Sequence, residues 1–204
     1  MQYGESLPLN DHEVVPTFDD GPLPPYTNRV LDTLASECVK ATFFMVGRMV
    51  RGYPSVVRRI YNEGHTVANH SQSHPFTFHR MTVDQAAREI EDGFASLQAA
   101  LGDRKAVAPF FRIPGLLRQN SVEQYLAAHG DMTWSVDFLA DDWTHINNRE
   151  VARREAGLQL VLAFRPIWAI MPATTVQFLI ALAPGNGRWT SIPSCWHAFS
   201  SPSR

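Results

Sequence analysis

A chain of 204 residues, 45% hydrophobic and 19% charged, has the mass for one globular domain with a sizeable core. Its formal net charge of −2 gives no general attraction to nucleic acid or to an anionic membrane surface, and two cysteines, Cys38 and Cys195, are too few for a disulfide framework and read as free buried thiols. The first ten residues hold neither a basic region nor an apolar run, so they are not a signal peptide; the chain reads as cytoplasmic, or as a protein of the cell envelope or periplasm if its start is incomplete.

Strands alternate with helices along most of the chain. Residues 11–18 predict a first strand, with Val14 and Val15 leading into Phe18 before the Gly21-Pro22 turn. A helix is expected over 28–37 and a second strand, rich in β-branched and aromatic residues, over 39–47. Residues 53–62 read as a helix stopped by Gly64, and 65–69 as a short third strand. Thr82 and Gln85 form a capping box opening a long helix to about Leu101, and Ser121 with Gln124 predicts another opening a helix ended by Gly130. Strands are expected at 108–112 and 132–136. This rhythm implies an α/β fold with a parallel sheet or barrel, its functional residues on the loops after the strands.

The rhythm stops near Glu155. Every acidic residue lies at or before that position, and only Arg165, Arg188 and Arg204 carry charge beyond it. Residues 158–183 are nearly all apolar, but Arg165-Pro166 and Pro172 interrupt them, so buried strands or a poorly specified tail are expected rather than a membrane span. The abrupt loss of Asp, Glu and Lys also fits an altered or fused reading frame.

Four strings could carry chemistry. In Thr17-Phe18-Asp19-Asp20-Gly21-Pro22 two carboxylates sit at a strand end, where one could bind a metal while its neighbour takes a proton from water; a plain turn would also account for the string. In His70-Ser71-Gln72-Ser73-His74 the histidines are four apart, which predicts both imidazoles on one face of a helical turn, within reach of one ion. Two imidazoles and a carboxylate leave a tetrahedral zinc one open position for water. The alternative is a solvated or capping pair, and His65 and His79 read as surface or packing residues. In Phe111-Arg112-Ile113-Pro114-Gly115 the arginine could hold a carboxylate ionised and aimed, and Gly115 could let a backbone N–H approach a developing oxyanion; an ordinary surface arginine is the other reading. Trp134-Ser135-Val136-Asp137, continuing to Asp141-Asp142-Trp143, suits either a small apolar pocket with a polar rim or plain core.

With these strings in this order, the chain resembles the polysaccharide deacetylase family, the nodulation-protein-B homology domain of carbohydrate esterase family four, which includes chitooligosaccharide deacetylases. The match runs over residues 8–154, leaving 155–204 as an atypical apolar tail. The resemblance implies an irregular (β/α) barrel, incomplete or distorted at its C-terminal end, and metal-dependent hydrolysis of N-acetyl groups on an amino-sugar polymer or oligomer of chitin-oligosaccharide or peptidoglycan type. It makes Asp19 the catalytic base and Asp20, His70 and His74 the ligands of Zn2+ or another divalent metal. It gives Arg112 the orientation of Asp19, the Gly115 N–H a share of the oxyanion, and Asp142 with Trp143 the support of Arg112 and a wall of the acetyl pocket. The implied partner is an N-acetylated glycan; neither nucleic acid nor an obligate protein partner is indicated.

Two departures stand out. The family protonates the leaving amine with a histidine in a late Leu-His motif, and no Leu-His string follows Arg154. His145 follows the Asp-Trp pair too closely, His197 would need a fortuitous geometry, and Arg165, whose pKa stays above ~12, cannot act as a general acid. Pro16 lies inside the strand that carries the acidic pair, where a missing N–H predicts a disturbed aim of Asp19 and Asp20. A catalytically impaired metal- or glycan-binding relic with an altered C-terminus, and an amidase acting on a non-sugar amide, are therefore the alternatives to a working deacetylase.

Overall fold

The computed structural model describes residues 14–136, 138–139 and 178–182. In chain order its elements are β1 (Val14–Asp19), α1 (Tyr26–Ser36), β2 (Thr42–Met45), α2 (Gly47–Gly52), α3 (Pro54–Asn62), β3 (Thr66–Asn69), α4 (Val83–Leu101), β4 (Phe110–Phe111), α5 (Asn120–His129), β5 (Met132–Thr133), β6 (Phe138–Leu139) and β7 (Phe178–Leu182). The strands form one sheet in the order β5-β4-β3-β2-β1-β7-β6. Neighbours from β1 to β5 are parallel, whereas β7 runs antiparallel to both β1 and β6. Part of the apolar stretch after Glu155 is thus a strand beside β1. Among the described residues no helix is long and apolar enough to cross a membrane.

Side-chain alternation sorts the sheet into two faces. On one face Phe18, Phe43, Met45 and Val67 pack with Val30, Leu31 and Leu34 of α1, Val57 and Ile60 of α3, and Leu97 of α4. A second cluster joins Phe111 and Ile113 to Ile90 of α4 and Val122 and Leu126 of α5. On the opposite face Phe44, Ala68 and Trp134 pack together, with Val15 and Phe110 against them. Thr17 and Asp19 share that second face with Val15, which places polar groups over an apolar floor.

Several expectations are refined. β1 extends one residue past Phe18, so Asp19 closes the strand. Pro16 does not interrupt the ladder to β2, because the β1–β2 register begins with Thr17 opposite Thr42; Pro16 lies opposite Ile180 of β7. The stretch expected as strand to Gly47 ends at Met45, and Gly47 opens α2 instead. The Thr82–Gln85 capping box is formed on both sides. The Ser121–Gln124 box is not, because α5 starts earlier, with Gln119 at its N-cap and no side-chain cap. Cys38 is exposed and disulfide-bonded, which corrects the buried free thiol; Cys195 lies outside the described residues.

One glycine sets how closely helix and sheet approach. A methyl group at Gly93 on α4 would collide with Asn69 Oδ1 and lie 3.0 Å from both Asn69 Cγ and the Ser71 carbonyl carbon. Asn69 cannot easily yield, being buried with its Nδ2 donating to the Ile90 carbonyl at 2.9 Å. Gly93→Ala should therefore destabilise the protein by about 1–3 kcal/mol through overpacking, against the ~1 kcal/mol that alanine's helix propensity would add. Urea denaturation measures this, and an unchanged or raised midpoint would contradict the close-approach argument.

Candidate active site

The site forms where β1, β3 and β4 end on the same rim of the sheet. Asp19 is the last residue of β1, and the chain then turns: Asp20 adopts φ 68°, and the Gly21 N–H donates to the Asp19 carbonyl at 2.9 Å. Leaving the strand conformation lets Asp20 share the rim with Asp19 rather than point to the opposite face. His70 follows β3, its N–H still bound to the Met45 carbonyl at 2.9 Å. The route from His70 to His74 is not the expected helical turn. Ser71 and His74 sit at φ 70° and 53°, folding the loop back so that the two imidazole centroids lie 4.8 Å apart. The Ser71 Oγ accepts the His74 N–H at 2.9 Å. Left-handed conformations cost ~1–2 kcal/mol per non-glycine residue, so three of them around one point require the surrounding packing to hold them.

Asp20, His70 and His74 each offer one ligand atom, and these atoms all lie within 4.8 Å of one another. His70 Nε2 is 3.6 Å and His74 Nε2 3.5 Å from Asp20 Oδ1. His70 Nδ1 is 2.8 Å from the Arg112 carbonyl oxygen. A carbonyl only accepts, so Nδ1 carries the proton and Nε2 turns its lone pair toward Asp20. Burial holds the His70 ring neutral, its pKa pushed down to about 3 despite the nearby Asp20 charge. Two imidazoles and a carboxylate form a donor set suited to a divalent metal.

Beside this trio lies a buried ion pair. Arg112 Nη1 donates to Asp19 Oδ1 at 2.6 Å and to Thr17 Oγ1 at 2.9 Å, and Nη2 donates to the Ser135 carbonyl at 3.1 Å. The guanidinium carbon stands 4.0 Å over the Phe44 ring, a favourable seat for a cation. Asp19 and Arg112 are each 1% exposed. Burial raises the Asp19 pKa, and Arg112 opposes that shift. The second carboxylate oxygen, Asp19 Oδ2, is buried with no hydrogen-bond partner among the described residues and lies 3.8 Å from His70 Nε2. A buried acceptor aimed at a candidate metal trio can take a proton from a molecule held there.

The other candidates divide. Gly115 follows β4 at φ 71°, with open space where a side chain would be. Trp134 is 8% exposed and belongs to the apolar floor, its ring 5.7 Å from Phe44 and 4.9 Å from Phe110. Asp142 and Trp143, with His145, Arg165 and His197, lie outside the described residues. His65 is buried and accepts the Ala41 N–H at 3.2 Å, a packing residue away from the rim. Sequence reasoning missed Thr17 and Phe44 as supports of Arg112. Strand alternation could have found Thr17, two residues before Asp19; Phe44 required the β1–β2 register, in which it faces Asp19.

A family model described as polysaccharide deacetylase matches residues 7–134, and the chain belongs to that family. It is 34% identical over 158 residues to the peptidoglycan-N-acetylglucosamine deacetylase of Bacillus cereus, an alignment covering 76% of this chain and 55% of that protein. It is 50% identical over 66 residues to the chitooligosaccharide deacetylase of Rhizobium leguminosarum bv. trifolii, covering 32% of this chain and 31% of that protein. The chain therefore spans well under two thirds of these relatives' lengths. The solved structure of peptidoglycan deacetylase PdaC from Bacillus subtilis superimposes with a TM-score of 0.63 at 30% identity, covering 69% of this chain and 66% of that one. The fold is accordingly the incomplete (β/α) barrel of this family.

The ion pair can be tested without substrate. Arg112→Met leaves the Asp19 carboxylate buried and unpaired, and should destabilise the protein by about 3–5 kcal/mol. Adding Asp19→Asn to that variant removes the stranded charge and should recover part of the loss. Urea denaturation of the two single variants and the double variant reads the coupling; strictly additive effects would show that the pair is not interacting.

Proposed function

We propose that the chain is a metal-dependent carbohydrate N-deacetylase acting on N-acetylglucosamine units of an oligomer or polymer of chitin-oligosaccharide or peptidoglycan type. The observation that carries this reading is Asp19: one carboxylate oxygen is fixed by Arg112, and the other stands without a hydrogen-bond partner among the described residues, beside the Asp20–His70–His74 trio. Family membership and the deacetylase activities of the Bacillus cereus and Rhizobium leguminosarum relatives support the same reading.

Asp20, His70 and His74 would hold the metal, which we take to be zinc. Bound there, a divalent metal supplies Lewis acidity, lowering the pKa of water and polarising a carbonyl. The chain's own residues supply the rest. Asp19 Oδ2, the carboxylate oxygen that Arg112 leaves unbound, takes the proton of the attacking water. Arg112 fixes the carboxylate's orientation and keeps it ionised. The Gly115 N–H donates to the carbonyl oxygen as negative charge develops there. By the family's pattern Asp142 would brace Arg112 and Trp143 would wall the acetyl methyl.

A second reading has its own support. Residues 155–204 carry no Leu-His string of the kind with which the family protonates the leaving amine. A protein of this kind would bind metal and glycan without turnover.

Acetate release from N-acetylglucosamine oligomers separates the two. A working deacetylase should release acetate, lose activity on chelation and regain it with zinc. Asp19→Asn should lower kcat by about 10²–10⁴, the range for loss of a general base, while still taking up zinc. Zinc uptake with no acetate from any N-acetylglucosamine oligomer or peptidoglycan fragment would establish the non-catalytic reading instead.

A further inference from the structure

The segment 70–74 bears two of the three proposed metal ligands on a backbone with left-handed residues at Ser71 and His74, and it makes no regular secondary structure of its own. Its shape is imposed from both sides. On one side the first N–H groups of α2 reach it: Gly47 donates to the Ser71 carbonyl at 2.9 Å and Arg48 to the Gln72 carbonyl at 2.8 Å. On the other side a stripe of α4 meets it, with Glu89, Gly93 and Ser96 spaced to lie along one helix face. Ser96 Oγ donates to Gln72 Oε1 at 2.8 Å, and Gly93 gives the room for Asn69 and Ser71.

Glu89 makes the densest part of this contact. Its main-chain carbonyl accepts the Gln72 N–H at 2.8 Å, which a carbonyl with two lone pairs can do alongside a helix bond. Its carboxylate grips the next residue twice: Oε2 accepts the Ser73 N–H at 2.8 Å and Oε1 accepts the Ser73 Oγ–H at 2.7 Å. Two successive backbone N–H groups and one hydroxyl of the loop therefore end on a single residue of a 19-residue helix. Ser73 is the residue before His74, so this grip fixes the Gln72–Ser73 peptide and the Ser73 side chain, one residue ahead of the strained His74.

We infer that Glu89 is a positioning residue for the metal centre: by clamping Ser73 through both carboxylate oxygens, it holds His74 in register with His70 and Asp20. The inference rests on the reading of Asp20, His70 and His74 as metal ligands. Glu89 acts through Ser73 and touches neither metal nor substrate. A glutamine there keeps both bonds, its amide oxygen accepting the Ser73 N–H and its amide nitrogen donating to Ser73 Oγ, whereas an alanine loses both.

Zinc itself is the probe, with dissociation constants read by competition against a chromophoric chelator and ligand geometry by the visible absorption of the cobalt(II)-loaded protein. Groups that orient metal ligands typically contribute ~10–100-fold to affinity; Glu89→Ala should weaken zinc binding by about 10-fold or more and alter the cobalt(II) bands, while Glu89→Gln stays within about threefold of the parent. The unfolding midpoint of the metal-free variants is the control for a merely structural role. A lowered midpoint with zinc affinity unchanged in Glu89→Ala would overturn the inference, as would Glu89→Gln binding as weakly as Glu89→Ala. Should Glu89→Ala not fold, Ser73→Ala removes one arm of the clamp; weaker zinc binding there supports the inference and unchanged binding overturns it. If Asp20→Ala and His74→Ala bind zinc as the parent does, the ligand assignment itself fails and the inference falls with it.

Discussion

The buried charge pair between Asp19 and Arg112 is the constraint to which the rest of the site is fitted. Removing two ions from water costs several kcal/mol each, and that cost is offset only when the partners meet at close range with their remaining polar atoms served. Arg112 meets Asp19 at close range and is further held by Thr17, the Ser135 carbonyl and the Phe44 ring, groups drawn from β1, β2 and the chain after β5, while its Nε and Asp19 Oδ2 are buried with no hydrogen-bond partner among the described residues. Because β2 and β3 lie between β1 and β4 in the sheet, the pair spans the concave side of four strands. It can form only if their ends are level, so strand length and register are bound to the electrostatics.

Around this pair the backbone is held out of its relaxed state. Left-handed conformations occur at Asp20 and His74, two of the three proposed ligands, and at Ser71, which follows the third. The structure compensates with hydrogen bonds from α2 and α4 and with the well-packed clusters under β1, β2 and β3. Strain at the rim and regularity below it are the ordinary division of work in such sites. That division also explains why Gly93 lies deep in a long helix, where an alanine would suit the helix better but would displace the loop.

How much of this was legible in the sequence depends on the range of the interaction. The β1, α3, α4 and α5 segments follow from apolar periodicity and local signals such as Thr82 with Gln85, Gly64 and Gly130, all of which act within a few residues. The Asp19, Asp20, His70 and His74 cluster was visible because two compact strings carry it. The geometry joining His70 to His74 was not, since a spacing of four suggests a helical turn, and only contacts with α2 and α4 enforce the folded-back loop. α2 was missed because a six-residue helix leaves little periodicity, and its N-terminal N–H groups find their acceptors in residues 71 and 72, far along the chain. The Ser121–Gln124 signal failed for the reverse reason: α5 extends past it to Asn120, so Ser121 is already helical and the N-cap position falls on Gln119. Pro16 looked disruptive from sequence alone because a strand's partners, and where each register begins, are not local information.

Arg112 serves two residues at once with different parts of itself. Its side chain holds Asp19, and its main-chain carbonyl holds the ring of His70. The proposed base and a proposed metal ligand therefore share one anchor, the residue just after β4, a strand that supplies neither of them. A shift of the backbone at residue 112 would therefore reach both groups together. A change of backbone path at residue 112 would alter the spacing between the proposed proton acceptor and the proposed metal ligand.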